Sequence, residues 1–295
     1  MCAVHNTQLL SGQPVAQQIL QSVQQEVVAL PGRPPSVVFL RVGEDGASVS
    51  YVQQKSKKAA EVGIHSNVRV FPETISEASL LQEIARLNDD PSVDGILLQA
   101  PLPKPLSFTN LTNTIRPEKD VDGFCAVHCG RLWQEGDALV PCTPAGIVEL
   151  LKYYRIQTAG EQVVIVNRSS IVGKPLGALL LQHSEFGNAT VTFCHSHTTS
   201  LSSITQQADI LVLACGKPHA FGKNFVKKGA VVIDVGITRV AANNERGYVL
   251  QGDADAEDLM GHAAALTPVP GGVGLLTVAM LMKNTLRAYH LCHNR

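Results

Sequence analysis

The sequence predicts an α/β protein made of two parallel-sheet units, and three observations predict it. Short apolar runs rich in β-branched residues, such as 36–42 (SVVFLRV) and 162–167 (QVVIVN), have the near-continuous hydrophobicity of strands covered on both faces. Between such runs lie stretches with apolar residues at helical spacing, which gives the strand–helix–strand order of crossover units. The chain changes character at Thr143, where a second series of strands begins, and its 295 residues suit two domains better than one.

Taken in order, residues 14–30 place Val15, Ile19, Leu20, Val23, Val27 and Leu30 at helical intervals, and Pro31 and Gly32 close that helix. A buried strand follows over 36–42. The turn Gly43-Glu44-Asp45-Gly46 leads into a helix carrying Tyr51 and Lys55 that ends near Gly63. A strand over 67–71, a helix over 76–87 and an apolar strand over 95–99 complete the first series. Thr143 is read as the cap of a helix through Tyr154, with Pro144 at its first position. Strands over 162–167, 189–194, 208–215 and 229–237 then repeat the rhythm of a dinucleotide-binding fold. The loop 267–274 (TPVPGGVG) holds three glycines and two prolines, a composition for close backbone approach, and opens a final helix over 275–291.

Composition excludes several classes. With 45% hydrophobic residues, 17% charged residues and a net charge of -1, no global field recruits nucleic acid or an anionic membrane. No run approaches the roughly 20 apolar residues of a membrane span, and the start lacks the basic and apolar regions of a signal peptide. Seven scattered cysteines argue for reduced thiols and a cytoplasmic setting. The fragment Cys125, His128, Cys129 lacks a second ligand pair, so no metal site is expected.

Four features carry chemistry. Tyr51 and Lys55, four apart, share one helix face, and a lysine shielded beside a phenol can trade protons near neutral pH. A solvated basic face shared with Lys57 and Lys58 is the alternative. Ligands gather beyond the carboxyl ends of parallel strands, which brings Lys55 and Gln99 toward one cleft. The loop 117–123 (PEKDVDG) supplies Asp120 and Asp122, each open to a turn role or a site role.

The fourth feature is a phosphate turn without the G-x-G-x-x-G pattern. Residues 167–173 (NRSSIVG) end in a single glycine. Arg168 and Ser169 offer donors instead, and a helix starting near Gly173 is expected to present free N–H groups to an anion. No Asp or Glu occurs between Asn188 and Ala208, where an NAD-selective fold places an acid for the ribose 2′-hydroxyl. The strand ends instead in Cys194-His195-Ser196-His197-Thr198, which suits a 2′-phosphate and points to NADP.

Together, Tyr51-x-x-x-Lys55, the Gln99-x-Pro-Leu-Pro loop, residues 117–123, Arg168-Ser-x-Ile-Val-Gly-x-Pro175 and residues 267–274 with Thr277 resemble the methylenetetrahydrofolate dehydrogenase/cyclohydrolase family, the bacterial FolD type, in register over nearly the whole chain. The resemblance implies a split folate-binding catalytic domain over 1–142 and 273–295, an NADP-binding Rossmann-like domain over 143–272, a cleft between them, and a homodimer with neither nucleic acid nor membrane as partner. It implies oxidation of 5,10-methylenetetrahydrofolate to the methenyl cation and hydrolysis of that cation to 10-formyltetrahydrofolate. Lys55 would be the acid/base of hydrolysis and Gln99 would tune it. Tyr51 would stack on the aminobenzoate ring, Asp122 would bond the pterin, Ser48 would orient the lysine, and Pro270, Gly271 and Gly272 would line the folate. Asn167, Arg168, Ser169, Ile171, Val172, Ser196, Cys215, Gly216, Ile237, Gly272 and Thr277 would contact the cofactor.

One departure is visible: family members usually carry glycine where Asn167 stands. If that turn needs a left-handed backbone, asparagine costs on the order of 1 kcal/mol there. Two rival readings share only part of this pattern. An NADP-dependent reductase of another small substrate would not need Lys55, Gln99 and Asp122 together, and a nucleotide sensor without catalysis would have a broken Tyr51/Lys55 pair.

Overall fold

The structure, a computed structural model, describes residues 6–244 and 247–293. The chain divides into two compact units. One holds Gln17–Cys142 with the chain from Val278; the other holds the chain up to Ala16 with Thr143–Thr277.

The unit with Lys55 is built on a three-stranded parallel sheet in the order His65–Phe71, Ser36–Val42, Gly95–Leu98. The central strand is the most apolar because it is paired on both sides and covered on both faces, with Val37, Phe39 and Leu40 fully buried. Helices Gly46–Glu61 and Glu77–Asp89 are the crossovers. The first starts where it does because Asp45 accepts the Ser48 N–H at 2.8 Å, and the second because Ser76 accepts the Ser79 N–H at 3.1 Å. Arg41, buried at the end of the central strand, donates to the Gly43 carbonyl and to Glu44 (3.0 Å), which fixes the turn into the Lys55 helix. Leu40, Leu80, Ile84, Ile96 and Leu111 fill one core. Helices Phe108–Thr114 and Ala126–Trp133, unanticipated from the sequence, complete this unit.

The second unit holds a six-stranded, all-parallel sheet in the order Gln8–Leu9, Ala265–Leu266, Val231–Asp234, Ile210–Leu213, Gln162–Val166, Thr190–Cys194. The sequence reading of residues 1–142 as one piece does not anticipate the edge strand Gln8–Leu9, which pairs with Ala265–Leu266. Two residues are too few for a periodic signal. An antiparallel pair, Thr238–Ala241 with Tyr248–Gln251, was likewise not legible.

Several element boundaries shift, among them two helix starts. The helix expected behind a Thr143 cap runs over Cys142–Tyr153, so Pro144 is its third residue; a proline fits anywhere in that first turn, where N–H groups have no intrahelical acceptor. The last helix spans Val273–His293 and so begins inside the glycine loop. That loop makes its close approach to the chain itself. Gly12 donates to the Gly271 carbonyl at 2.8 Å, and a side chain at Gly12 would strike the Gly272 carbonyl.

Candidate active site

Helix Gly46–Glu61 buries Ser48, Val52, Lys55 and Ala59, one stripe at helical spacing. The lysine therefore stands in the apolar face of its helix, 5% exposed, and the solvated-face reading does not apply to it. Its Nζ donates to Gln99 Oε1 at 3.0 Å and lies 4.9 Å from the centre of the Tyr51 ring. Gln99, just past the strand Gly95–Leu98, is held from both sides. Its backbone N–H continues the ladder to the Leu40 carbonyl (2.8 Å), and its Nε2 donates to the Ala100 carbonyl (2.7 Å), which aims Oε1 at the lysine. Burial pushes the Lys55 pKa below the ordinary lysine value, opposed by the charge of Asp122 and then by Cys142.

The loop after the 3₁₀ turn Pro117–Lys119 divides its charged residues between two jobs. Lys119 donates to the Leu87 and Asp90 carbonyls at 3.0 and 2.7 Å, finishing the end of helix Glu77–Asp89. Asp120 accepts the N–H groups of Gly123 and Cys125 at 3.1 and 2.7 Å, a turn role, and burial pushes its carboxyl up to about 6. Asp122 is left facing the site. Its carboxyl is raised by burial and lowered in turn by Lys55 and by the Cys142 thiol, whose Sγ lies 3.7 Å from Oδ1.

Ser48, buried on the same face, has its N–H bound by Asp45 and makes no hydrogen bond to Lys55 among the described residues. Cys142 and Asn284 belong to this constellation and were missed. Asn284 was detectable as a polar residue on the buried stripe Leu276, Met280, Asn284, Ala288 of the last helix. Asp120, Cys125 and His128 also converge, with ligand-type atoms within 4.8 Å of one another. Their polar atoms are already spent on the chain. The His128 ring binds the Pro117 carbonyl through Nε2 (2.7 Å) and the Leu139 N–H through Nδ1 (3.2 Å).

In the six-stranded sheet the expected cofactor residues follow the carboxyl ends of neighbouring parallel strands. Asn167, Arg168 and Ser169 follow Gln162–Val166, Ser196 follows Thr190–Cys194, Cys215 and Gly216 follow Ile210–Leu213, and Ile237 follows Val231–Asp234. Strand order reverses beside Gln162–Val166, so the crevice for a ligand lies between its end and that of Ile210–Leu213. Asn167 spans this point. Its Nδ2 donates to the Ala214 carbonyl (2.6 Å), and its Oδ1 accepts the N–H groups of Ser169 (2.8 Å) and Gly173 (3.0 Å).

Two expectations are corrected here. Asn167 has no left-handed backbone, so it is present for its side chain and not for its conformational tolerance. The helix Gly173–Leu181 does not offer free N–H groups. Val172 donates to Ser169 Oγ (3.0 Å), Gly173 to Asn167, and Lys174 to the Ser169 carbonyl (3.0 Å). A Cβ at Gly173 would collide with Asn167, which is why this position is glycine. Arg168 and Ser196 are exposed and Ile171 and Val172 half-buried. Asp253 fixes the next loop, its carboxylate accepting the N–H groups of Cys215, Gly216 and Lys217. Around the glycine loop Pro270 is exposed, Gly271 half-buried and Gly272 buried, and the Thr277 hydroxyl meets that of Thr143 at 3.0 Å.

Comparison with known proteins matches residues 10–122 to the tetrahydrofolate dehydrogenase/cyclohydrolase catalytic domain and residues 141–293 to the NAD(P)-binding domain of the same family. The chain belongs to the tetrahydrofolate dehydrogenase/cyclohydrolase family. It is 48% identical over 282 residues to the bifunctional protein FolD of Chlamydia pneumoniae, covering 95% of this chain and 98% of that one. Among solved structures it resembles the FolD enzyme of Campylobacter jejuni, with TM-score 0.90 and 38% identity over 96% of this chain and 98% of that one. The FolD enzyme of Trypanosoma brucei, solved with NADP cofactor and an inhibitor, is also similar, with TM-score 0.90 and 35% identity over 97% of this chain and 98% of that one. The family's catalytic-domain match contains Lys55, Gln99 and Asp122 but stops short of Cys142, and its cofactor-domain match contains the whole Asn167 turn.

Proposed function

We infer that this chain is a bifunctional enzyme that oxidises 5,10-methylenetetrahydrofolate to the methenyl form with NADP and hydrolyses that form to 10-formyltetrahydrofolate. Family membership supports both activities. The observation that carries the reading is the buried Lys55 amine, bound to Gln99 beside Tyr51 and coupled to Asp122.

Each residue has a part matched to its chemistry. Tyr51 offers a ring face to the aminobenzoate group and Asp122 a carboxyl to the pterin, and these two contacts orient the folate for hydride loss. Lys55, with a pKa lowered by burial, passes protons between water and the folate nitrogen as the ring opens. Gln99 accepts from the amine and keeps it pointed into the site. Arg168, Ser169 and Ser196 would hold NADP, and an acid-free stretch from Asn188 to Ala208 leaves its 2′-phosphate unopposed. When bound, NADP supplies the hydride acceptor. Asn167 and Asp253 act through the backbone, shaping the two loops that flank the crevice.

A homodimer in the cytoplasm, supplying formyl groups to purine synthesis, completes the proposal. No helix among the described residues is long and apolar enough to cross a membrane. Strand His65–Phe71 is a sheet edge with Val68 and Val70 exposed, a surface of the kind a second copy covers. Sedimentation of wild type and Val70→Lys tests the dimer. The activity is tested by following methenyltetrahydrofolate absorbance from methylenetetrahydrofolate with NADP or NAD. Turnover with NADP is expected, and no turnover with either cofactor overturns the reading.

A further inference from the structure

We propose that Asn284 is a positioning residue for the folate site, setting the Asp122 carboxylate beside Lys55 from the last helix. The carboxamide is 4% exposed, and its Nδ2 donates to the Val121 carbonyl at 2.9 Å and the Val140 carbonyl at 2.8 Å, with Cys142 Sγ at 3.7 Å. Two protons thus bind two separate segments. One carries Asp122 as its next residue, and the other ends at Cys142.

The thiol completes the link. Cys142 Sγ reaches the Val121 carbonyl at 3.8 Å and Asp122 Oδ1 at 3.7 Å, and burial holds its pKa well above the usual thiol value, so it stays protonated and donates to the carboxylate. Asp122 is therefore placed from three directions: by the Asp120 turn before it, by the thiol, and by Asn284 behind both. A buried amide whose donors are fully used has no reason to tolerate exchange for an apolar residue, because two buried carbonyls would lose their partners.

The consequence reaches Lys55. Tyr51 on its own helix and Gln99 beyond the strand touch its amine, and Asp122 on the loop and Cys142 at the next helix start act on it electrostatically. Of these, the Asp122 charge is the largest influence opposing burial. If Asn284 no longer holds the loop, Asp122 withdraws, the folate loses its anchor and the lysine proton is held less tightly.

This inference rests on the proposed function, and the experiment separates the two. Both activities are assayed on wild type, Asn284→Ala, the milder Asn284→Ser, and Thr285→Val. The last removes a buried hydroxyl bonded only to the Leu281 carbonyl of the same helix. The expected result for Asn284→Ala is a KM for methylenetetrahydrofolate raised at least roughly tenfold. KM for NADP should stay within about twofold, and the ionisation governing cyclohydrolase activity should move to lower pH. Asn284→Ser should show smaller shifts in the same sense, and Thr285→Val none of them, whatever its thermal stability. Folded Asn284 variants with wild-type folate KM and pH profile, or the same shifts in Thr285→Val, overturn the assignment. A wild type without either activity overturns the functional reading instead.

Discussion

Replacing Lys55 by methionine removes the amine and keeps the length and apolar stem, so it separates the two reactions. The fold should survive. Gln99 Oε1 loses its partner, at a cost of about 1–3 kcal/mol for a buried acceptor, but a strongly desolvated amine leaves with it and offsets part of that loss. In the proposed mechanism hydride transfer depends on placement by Tyr51 and Asp122, which remain. Ring opening needs a group that moves protons, a contribution of roughly 10²- to 10⁴-fold that a thioether cannot make. The expected outcome is cyclohydrolase activity reduced at least about a hundredfold, measurable dehydrogenase activity and accumulation of methenyltetrahydrofolate. A secondary effect follows from the coupling: without the lysine to lower it, the Asp122 pKa rises further, so the folate KM becomes more sensitive to pH. Side-by-side assays of the two steps on folded variant decide the matter. Undiminished cyclohydrolase activity removes Lys55 from the mechanism.

Arg168→Ala should weaken NADP far more than NAD, because only the 2′-phosphate loses a charge-assisted contact worth about 1.5–3 kcal/mol; equal losses in titrations with the two cofactors would exclude that contact. Asn167→Gly should weaken NADP binding and lower thermal stability, since it deletes the bonds to Ala214, Ser169 and Gly173; a tighter cofactor Kd would show that glycine suits this turn better. Asp120 gives a pH test. Its carboxyl, at about 6 in the fold against 3.8 ordinarily, binds protons more readily folded than unfolded, so its contribution to stability grows as pH falls through 6 and levels off near 4. Between about pH 7.5 and pH 5 the wild type should gain on the order of 1 kcal/mol relative to Asp120→Asn in urea unfolding, and a constant difference would contradict the assignment.

The sheets were legible because parallel strands buried on both faces announce themselves as apolar runs; the central strand at 36–42 is recovered residue for residue. The meeting of Lys55 with Gln99 was legible because each lies beyond the carboxyl end of such a strand. What escaped was decided by side chains closing on backbone from far along the chain. The capture of the Ala214 carbonyl by Asn167, of Cys215–Lys217 amides by Asp253, and of two carbonyls by Asn284 have no local periodicity. Asn167 is instructive: a rule about backbone conformation suggested glycine-like tolerance, yet the residue is fixed by what its carboxamide binds.

The pairing of Gln8–Leu9 with Ala265–Leu266 has a consequence for how the chain acquires its structure. The edge strand of the six-stranded sheet has no partner until residues 265–266 have left the ribosome, and the Lys55 unit lacks the helix that carries Asn284 until still later. Closing a loop of some 250 residues costs only modestly more than closing a short one, because the entropy grows with the logarithm of length. The kinetic cost is larger, since contacts this distant in sequence must wait for one another. During synthesis the first apolar strands therefore exist without their final cover. Neither unit can be cut out of the gene as one continuous piece; to produce either alone, two separated segments of the sequence must be joined.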